Sequence, residues 1–147
     1  MKYDVETTGG RFYGNVFALP IRIYYEDTDA GGIVYYANYL KFAERARTEF
    51  IQALNFNQQE VLTTQKCGFT VRTCHIEYLR PAMLGDMLAV TCEVREVKGA
   101  SAIMTQEVWR GDELLATVEV KVAYVDLERK RPVRIPADLL PTPQTQS

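Results

Sequence analysis

The segment Thr28-Asp29-Ala30-Gly31-Gly32-Ile33-Val34-Tyr35-Tyr36-Ala37-Asn38-Tyr39 sets one carboxylate and two adjacent glycines between a strand-like and a helix-like stretch. A carboxylate attacks a carbonyl or activates water. Glycine lets backbone come close to a ligand. The first N–H groups of a helix, at the positive end of its dipole, favour a charge that develops beside them. A loop built this way aims backbone donors at whatever ligand sits beside Asp29. The same residues also suit a plain turn in which Asp29 caps the helix and the glycines supply positive φ, and the segment by itself leaves both readings open.

The elements around the segment would have to hold it. Residues 17–26 alternate Ile21, Ile23 and Tyr25 with Arg22 and Tyr24, the pattern of a half-buried strand. Asn38 reads as a helix cap. After it Tyr39, Phe42, Ala43, Ala46, Phe50, Ala53 and Leu54 recur at helical steps, which predicts a helix over residues 39–54 with one face in a core. Residues 55–65 read as a connection with one short helical turn. Residues 69–79, 87–97, 102–110 and 114–125 are rich in Val, Ile, Thr and aromatics, with Gly85-Asp86, Lys98-Gly99 and Gly111-Asp112 as turns between them. One strand, one helix and four further strands is an α+β order, a five-stranded antiparallel sheet covering a helix about 24 Å long. The chain of 147 residues is expected to be one domain over 1–147, with loosely held ends at about 1–15 and 136–147.

Other chemistries fit less well. The sequence has only Ser101 and Ser147, with no G-x-S-x-G elbow, so serine catalysis would rest on Ser101 with His75. His75 sits in a strand-like run, where a lone histidine is more often structural. Cys67, Cys74 and Cys92 are odd in number, lack C-x-x-C spacing and fall in or beside strands, so they read as small hydrophobes rather than nucleophiles, a disulfide framework or a zinc site. Phosphate-loop and dinucleotide fingerprints are missing. Lys plus Arg at 17 against Asp plus Glu at 19 gives a net charge of -2, too balanced for nucleic acid as the main partner. The start, MKYDVETTGG, has no apolar h-region, and no uncharged stretch approaches a membrane span, so a cytoplasmic protein is expected. Residues 128–134, ERKRPVR, read as solvated charge or as a phosphate or membrane-surface contact.

The stretch YYEDTDAGGIVYYANYLKFAERART, residues 24–48, resembles the active-site segment of hotdog-fold acyl-CoA thioesterases of the hydroxybenzoyl-CoA thioesterase family. Within the family it is most similar to the bacterial thioesterase associated with the Tol-Pal system, whose members usually have histidine where this chain has Tyr36; the hydroxybenzoyl-CoA enzymes have tyrosine there. The resemblance implies a hotdog fold, an antiparallel sheet wrapped around one long central helix, with sheets joined edge to edge in a homodimer or a dimer of dimers. It implies acyl-CoA as substrate, acyl carrier protein as a further candidate partner, and water as the only co-reactant, without a cofactor or metal. By the same resemblance Asp29 matches the catalytic acid, as nucleophile or general base, and the backbone N–H of Tyr36 matches the donor that polarises the thioester carbonyl. Gly32 lies in the same loop, Tyr25 either lines the cleft or packs in the core, and Lys98 sits where related proteins place basic residues near the CoA nucleotide. Asp27 is expected at the surface, and Glu44, Arg45, Arg47 and Glu49 as local pairs on the helix. The rival expectations are a non-catalytic acyl-CoA or acyl-carrier-protein binding partner in envelope or phospholipid assembly, and a hotdog dehydratase, which the lack of a loop histidine disfavours.

Overall fold

The computed structural model describes residues 2–6, 9–54 and 66–141. Its helix, α1 (Asn38–Leu54), buries Tyr39, Phe42, Ala43, Ala46 and Phe50 along one face. Phe42 and Phe50 are fully buried, each contributing about 2–3 kcal/mol of apolar burial. Ala43 and Ala46, also fully buried between them, keep this face thin enough for the helix to lie close on the sheet. Ala53 is exposed, while Ile51 and Leu54 carry the apolar stripe to the end of the helix as partly buried residues packed on the core.

Seven strands form one antiparallel sheet: β1 (Arg11–Tyr13), β2 (Val16–Arg22), β3 (Cys67–Tyr78), β4 (Met87–Lys98), β5 (Ser101–Arg110), β6 (Glu113–Asp126) and β7 (Arg131–Pro132). The order is β1-β2-β4-β5-β6-β3, with β7 paired to the end of β6. The helix packs on β2 and β4. Around its first half Tyr39, Phe42 and Ala46 meet Ile21, Leu88, Val90 and Val108, and around its second Phe50 meets Phe17, Met104, Val120 and Tyr124. On β6, Val118, Val120, Val122 and Tyr124 face this core as the alternation predicts, while Glu119 and Lys121 point outward.

The structure adds two short strands to the five expected. β1 joins β2 through the two-residue turn Gly14-Asn15, where Gly14 takes φ +64°. At the ends read as loosely held, Tyr3 and Val5 are buried against Ala18 and Ala89, and Leu139 and Leu140 belong to the core. The first strand also stops early: β2 ends at Arg22, and Tyr25–Asp27 form a 3-10 turn. Residues 55–65, expected to connect helix to sheet, lie outside the described residues.

One polar element crosses the core. Gln106, 1% exposed on the helix-facing side of β5, donates through Nε2 to the carbonyls of Ala43 (2.9 Å) and Thr91 (3.0 Å), and its Oε1 accepts from Arg47 (2.9 Å). Opposite, the N–H of Glu107 donates to Thr91 Oγ1 at 2.8 Å. Side chains thus take over where the β4–β5 ladder passes from Val90↔Val108 to Glu93↔Thr105, and no buried side-chain polar atom is left unpaired there among the described residues.

Candidate active site

The loop between β2 and α1 is a tight reversal. Thr28 bridges Val34, the N–H of Asp29 donates to Ile33 (2.9 Å), and the N–H of Gly32 donates back to the Asp29 carbonyl (3.0 Å). Gly32 takes φ +79°, which explains a glycine there. Asp29, exposed at the tip, accepts the N–H of Gly31 on Oδ1 at 2.9 Å; a Cβ on Gly31 would sit 3.4 Å from that oxygen. The carboxylate is therefore oriented by its own loop and open to a ligand, and it does not cap α1.

Nor does Asn38 cap the helix as expected. Its side chain, buried, donates through Nδ2 to the carbonyl of Asp27 (2.9 Å), which also accepts the N–H of Tyr35 (3.1 Å). Asp27, expected at the surface, is 8% exposed, and its carboxylate accepts the N–H of Tyr24 at 2.8 Å. This acid fixes the 3-10 turn, and so the base of the loop, by satisfying a backbone donor that the turn frees.

The chain then enters α1 through tight i to i−3 bonds: Asn38 to Tyr35 (2.9 Å), Tyr39 to Tyr36 (3.2 Å) and Leu40 to Ala37 (3.2 Å). The N–H of Tyr36 has no hydrogen-bond partner among the described residues. It stands at the positive end of the helix, open to an oxygen that gains negative charge. Tyr36 is 62% exposed, and Tyr25 is 81% exposed, so Tyr25 is not a core residue. Tyr78, which the sequence did not single out, reaches this entrance from β3: its hydroxyl donates to the Tyr36 carbonyl at 3.2 Å. An aromatic residue at a strand end, just before Arg80-Pro81, was the only local signal for it.

The loop is braced from behind. Val34 donates to Ala82 (2.9 Å), Leu84 donates to Gly32 (3.0 Å), and Ile33 bridges Met83. Arg110 holds that bracing segment, with Nη1 donating to Asp86 (2.7 Å) and to the Pro81 carbonyl (3.2 Å), while Asp86 accepts the N–H of Met83 (2.8 Å).

Lys98 is not brought to this site. Asp86, next to the loop, leads straight into β4, and Lys98 closes that strand eleven residues after Met87, about 36 Å away along it. Lys98 is exposed beside a cavity of about 310 Å³ at the far end of the sheet, lined by Arg72, Ser101 and Lys121 among others. The larger cavity, about 380 Å³, opens on the outer face of the sheet among Glu93, Glu107, Glu119 and His75 and takes no residue of the Asp29 loop. A smaller one, about 160 Å³, lies between α1 and β3 and is lined by Glu44, Arg47, Ile51, Phe69 and Val71.

The competing nucleophiles are disposed of by geometry. Cys92 is fully buried, and that burial pushes its thiol up to about 12, so it carries no thiolate at neutral pH. Cys74 and His75 are neighbours on β3, opposite Val120 and Glu119, and so face opposite sides of the sheet. Ser101 pairs with Ala123 and His75 with Glu119 on the two sides of β6, which puts them roughly 16 Å apart. No group of three or more His, Cys, Asp or Glu suited to a metal ion occurs among the described residues. None of their helices is long and apolar enough to cross a membrane.

Comparison with known proteins identifies the family. The family described as the Thioesterase-like superfamily matches residues 24–142. The acyl-CoA thioesterase YbgC of Haemophilus influenzae is 50% identical over 125 residues, covering 85% of this chain and 92% of its own. The acyl-CoA thioester hydrolase YbgC of Escherichia coli O6:H1 is 41% identical over 126 residues, covering 85% and 93%. The crystal structure of a probable thioesterase from Bartonella henselae superposes with a TM-score of 0.72 at 32% identity, over 84% of this chain and all of that one. A match that runs from the 3-10 turn through the helix and every later strand takes in both the loop and its scaffold: the chain belongs to the thioesterase-like superfamily and is a thioester hydrolase of hotdog fold.

Proposed function

We propose that the protein hydrolyses an acyl-CoA thioester to a free acid and CoA, with Asp29 as the catalytic carboxylate and the Tyr36 N–H as the donor to the thioester oxygen. The observation that carries this is the unpaired Tyr36 N–H at the entrance of α1, seven residues after an exposed, loop-oriented carboxylate. A thiolate leaves readily, so the reaction chiefly needs an attacking oxygen and a place for the oxyanion. Asp29 supplies the first in either of two ways. As nucleophile it forms a mixed anhydride that water then cleaves; as general base it takes a proton from the attacking water. Both routes end with the free acid and a proton on the CoA sulfur; the second puts the oxygen of water on the acyl carbon, and the first does so when water attacks the acyl carbonyl of the anhydride, or leaves there an oxygen of Asp29 when water attacks the aspartyl carbonyl. Gly32 keeps the loop turned toward the substrate, and Tyr25 forms part of its exposed rim.

The finer reading is that the working unit is at least a dimer. β3 is a twelve-residue edge strand, hydrogen-bonded on one side only among the described residues, and exposes Val71 (47%), Cys74 and Tyr78 (46%). Such an edge calls for a partner strand. Antiparallel pairing of two β3 edges about a twofold axis sets the Tyr78 end of one chain beside the Cys67 end of the other. It thereby carries the basic Lys98 and Arg72 region of the second chain toward the Asp29 loop of the first, in reach of a CoA nucleotide. The acyl group then lies along the gap between α1 and β3. A dimer of dimers, a cytoplasmic setting, acyl carrier protein as a further partner and association with the Tol-Pal system complete the reading. Reduced Cys67, Cys74 and Cys92 suit that compartment.

Release of free thiol from short, long and aromatic acyl-CoAs by the metal-free protein is the test. Turnover of one class with a clear preference supports hydrolysis; CoA binding with no turnover of any would favour a non-catalytic acyl-CoA or acyl-carrier-protein binding role.

A further inference from the structure

Tyr36 is held on three sides and open on one. Before it, Tyr35 is fixed at both ends of its peptide groups, its N–H on Asp27 (3.1 Å) and its carbonyl under the N–H of Asn38 (2.9 Å). After it, the Tyr36 carbonyl accepts two donors, the N–H of Tyr39 (3.2 Å) and the Tyr78 hydroxyl (3.2 Å). Only the Tyr36 N–H is left for a ligand. The backbone bond to Tyr39 is at the long end for an N–H to oxygen contact and the phenol bond is longer still for an O–H donor, so the restraint on this carbonyl is shared between the two. A donor that must meet an oxyanion works best when its direction is set before the reaction.

Tyr78 is itself well placed to act as a strut. Its ring stands edge-on to Tyr36 (centroids 6.1 Å, 85°) and to Tyr39 (5.3 Å, 73°). Tyr39 is 2% exposed and accepts the N–H of Ala82 on its hydroxyl at 3.0 Å, tying the group to the segment that braces the Asp29 loop. Edge-on aromatic pairs of this kind are attractive beyond the burial of their area, because a ring's positive edge meets the negative face of its neighbour. Partial burial, first, and the neighbouring Tyr36 raise the Tyr78 phenol above its ordinary value, which keeps it a donor at neutral pH.

We propose that Tyr78 is a positioning residue for thioester hydrolysis, its hydroxyl holding the Tyr36 carbonyl so that the Tyr36 N–H points at the thioester oxygen. This rests on the reading of that N–H as the oxyanion donor. Tyr78 touches no reacting atom. Its contribution lies in the turnover step, because a misdirected donor binds substrate nearly as well while stabilising the transition state less.

Tyr78→Phe removes the hydroxyl and keeps the ring. The expected result is a folded protein with kcat about tenfold lower and KM within twofold of the parent, a fraction of the roughly hundredfold cost of losing an oxyanion donor outright. The second measurement is the infrared stretch of a 13C-labelled thioester carbonyl, in the acyl-CoA that the parent protein turns over fastest, bound to the slow Asp29→Asn protein. Binding should lower that frequency, and adding Tyr78→Phe should undo part of the shift. An unchanged kcat and carbonyl frequency in the Phe variant would overturn the role of Tyr78, as would a loss confined to KM. Absence of any shift in Asp29→Asn alone would instead remove the Tyr36 donor on which the proposal stands.

Discussion

Arg110 and Asp86 face each other at 2.7 Å, guanidinium Nη1 to carboxylate Oδ2, with side chains 30% and 21% exposed, directly behind the segment that carries the Asp29 loop. The same carboxylate oxygen accepts the N–H of Met83, and Met83 bridges Ile33, so one ion pair fixes the backbone two steps from the site. Arg110→Met should lower stability by about 2 kcal/mol, the scale of a partly buried charge-assisted network. It should also lower kcat/KM more than a distant surface substitution of equal stability cost does. Thermal melts and initial rates on the same preparation test both. A variant with parent-like activity would show that the brace does not reach the loop.

The acid side of the stability profile follows from the same cluster. Hydrogen bonds from Arg110, first, and from Arg80 hold the Glu113 carboxyl below its ordinary value of 4.5. A group whose folded value is depressed stabilises the fold above its unfolded value and loses that contribution as pH falls through the folded one. Melting temperature should therefore fall below about pH 4.5, and Glu113→Gln should melt at a lower temperature than the parent at pH 7 but approach it near pH 3. Parallel melting curves for the two proteins across pH 3 to 7 would rule this out.

Asp29→Asn keeps an acceptor for the Gly31 N–H and removes the charge. Turnover should fall by about a hundredfold or more, the usual scale for a positioned acid, base or nucleophile, with the melting temperature little changed. A rate within about threefold of the parent would disqualify Asp29.

At Tyr36 the main chain and the ring give opposite expectations. If the backbone N–H is the donor, Tyr36→Phe leaves it in place and should cost well under a hundredfold in kcat/KM on one aliphatic and one aromatic acyl-CoA. A hundredfold loss in the folded variant would transfer the role to the phenol.

The edge of β3 is where assembly is read out. Light scattering at micromolar concentration should find at least a dimer, and Val71→Lys, which puts a charge on the 47% exposed edge residue, should shift the mass downward and reduce activity with it. An active monomer would refute the shared-site arrangement.

The sequence displayed what is periodic. Tyr39, Phe42, Ala43, Ala46 and Phe50 announce the helix, and Val118, Val120, Val122 and Tyr124 announce β6, because burial of one face repeats at the period of the backbone. β1 and β7, three and two residues long, are too short to carry a period. Asn38 and Asp27 were misread for one reason: each has a local preference, cap or surface, that yields to a partner made available only when the 3-10 turn forms. Asp29 and Gly32 were legible because the loop is contiguous. Tyr78 was not, since its bond to Tyr36 spans 42 residues, and neither was the separation of Lys98 from Asp29, which depends on the direction of β4.

Gln106 has a bearing on motion. A single amide ties the middle of the helix and Arg47 to the sheet, so sliding α1 along the sheet or turning it about its axis would strip two hydrogen bonds at once, those to Ala43 and Arg47, while the bond to Thr91 holds the amide on the strands. The midsection of α1 is therefore a fixed pivot. Adjustment to substrates of different bulk falls to the parts beyond it: the tyrosine-rich entrance at one end, and the gap toward Phe69 and Val71 at the other.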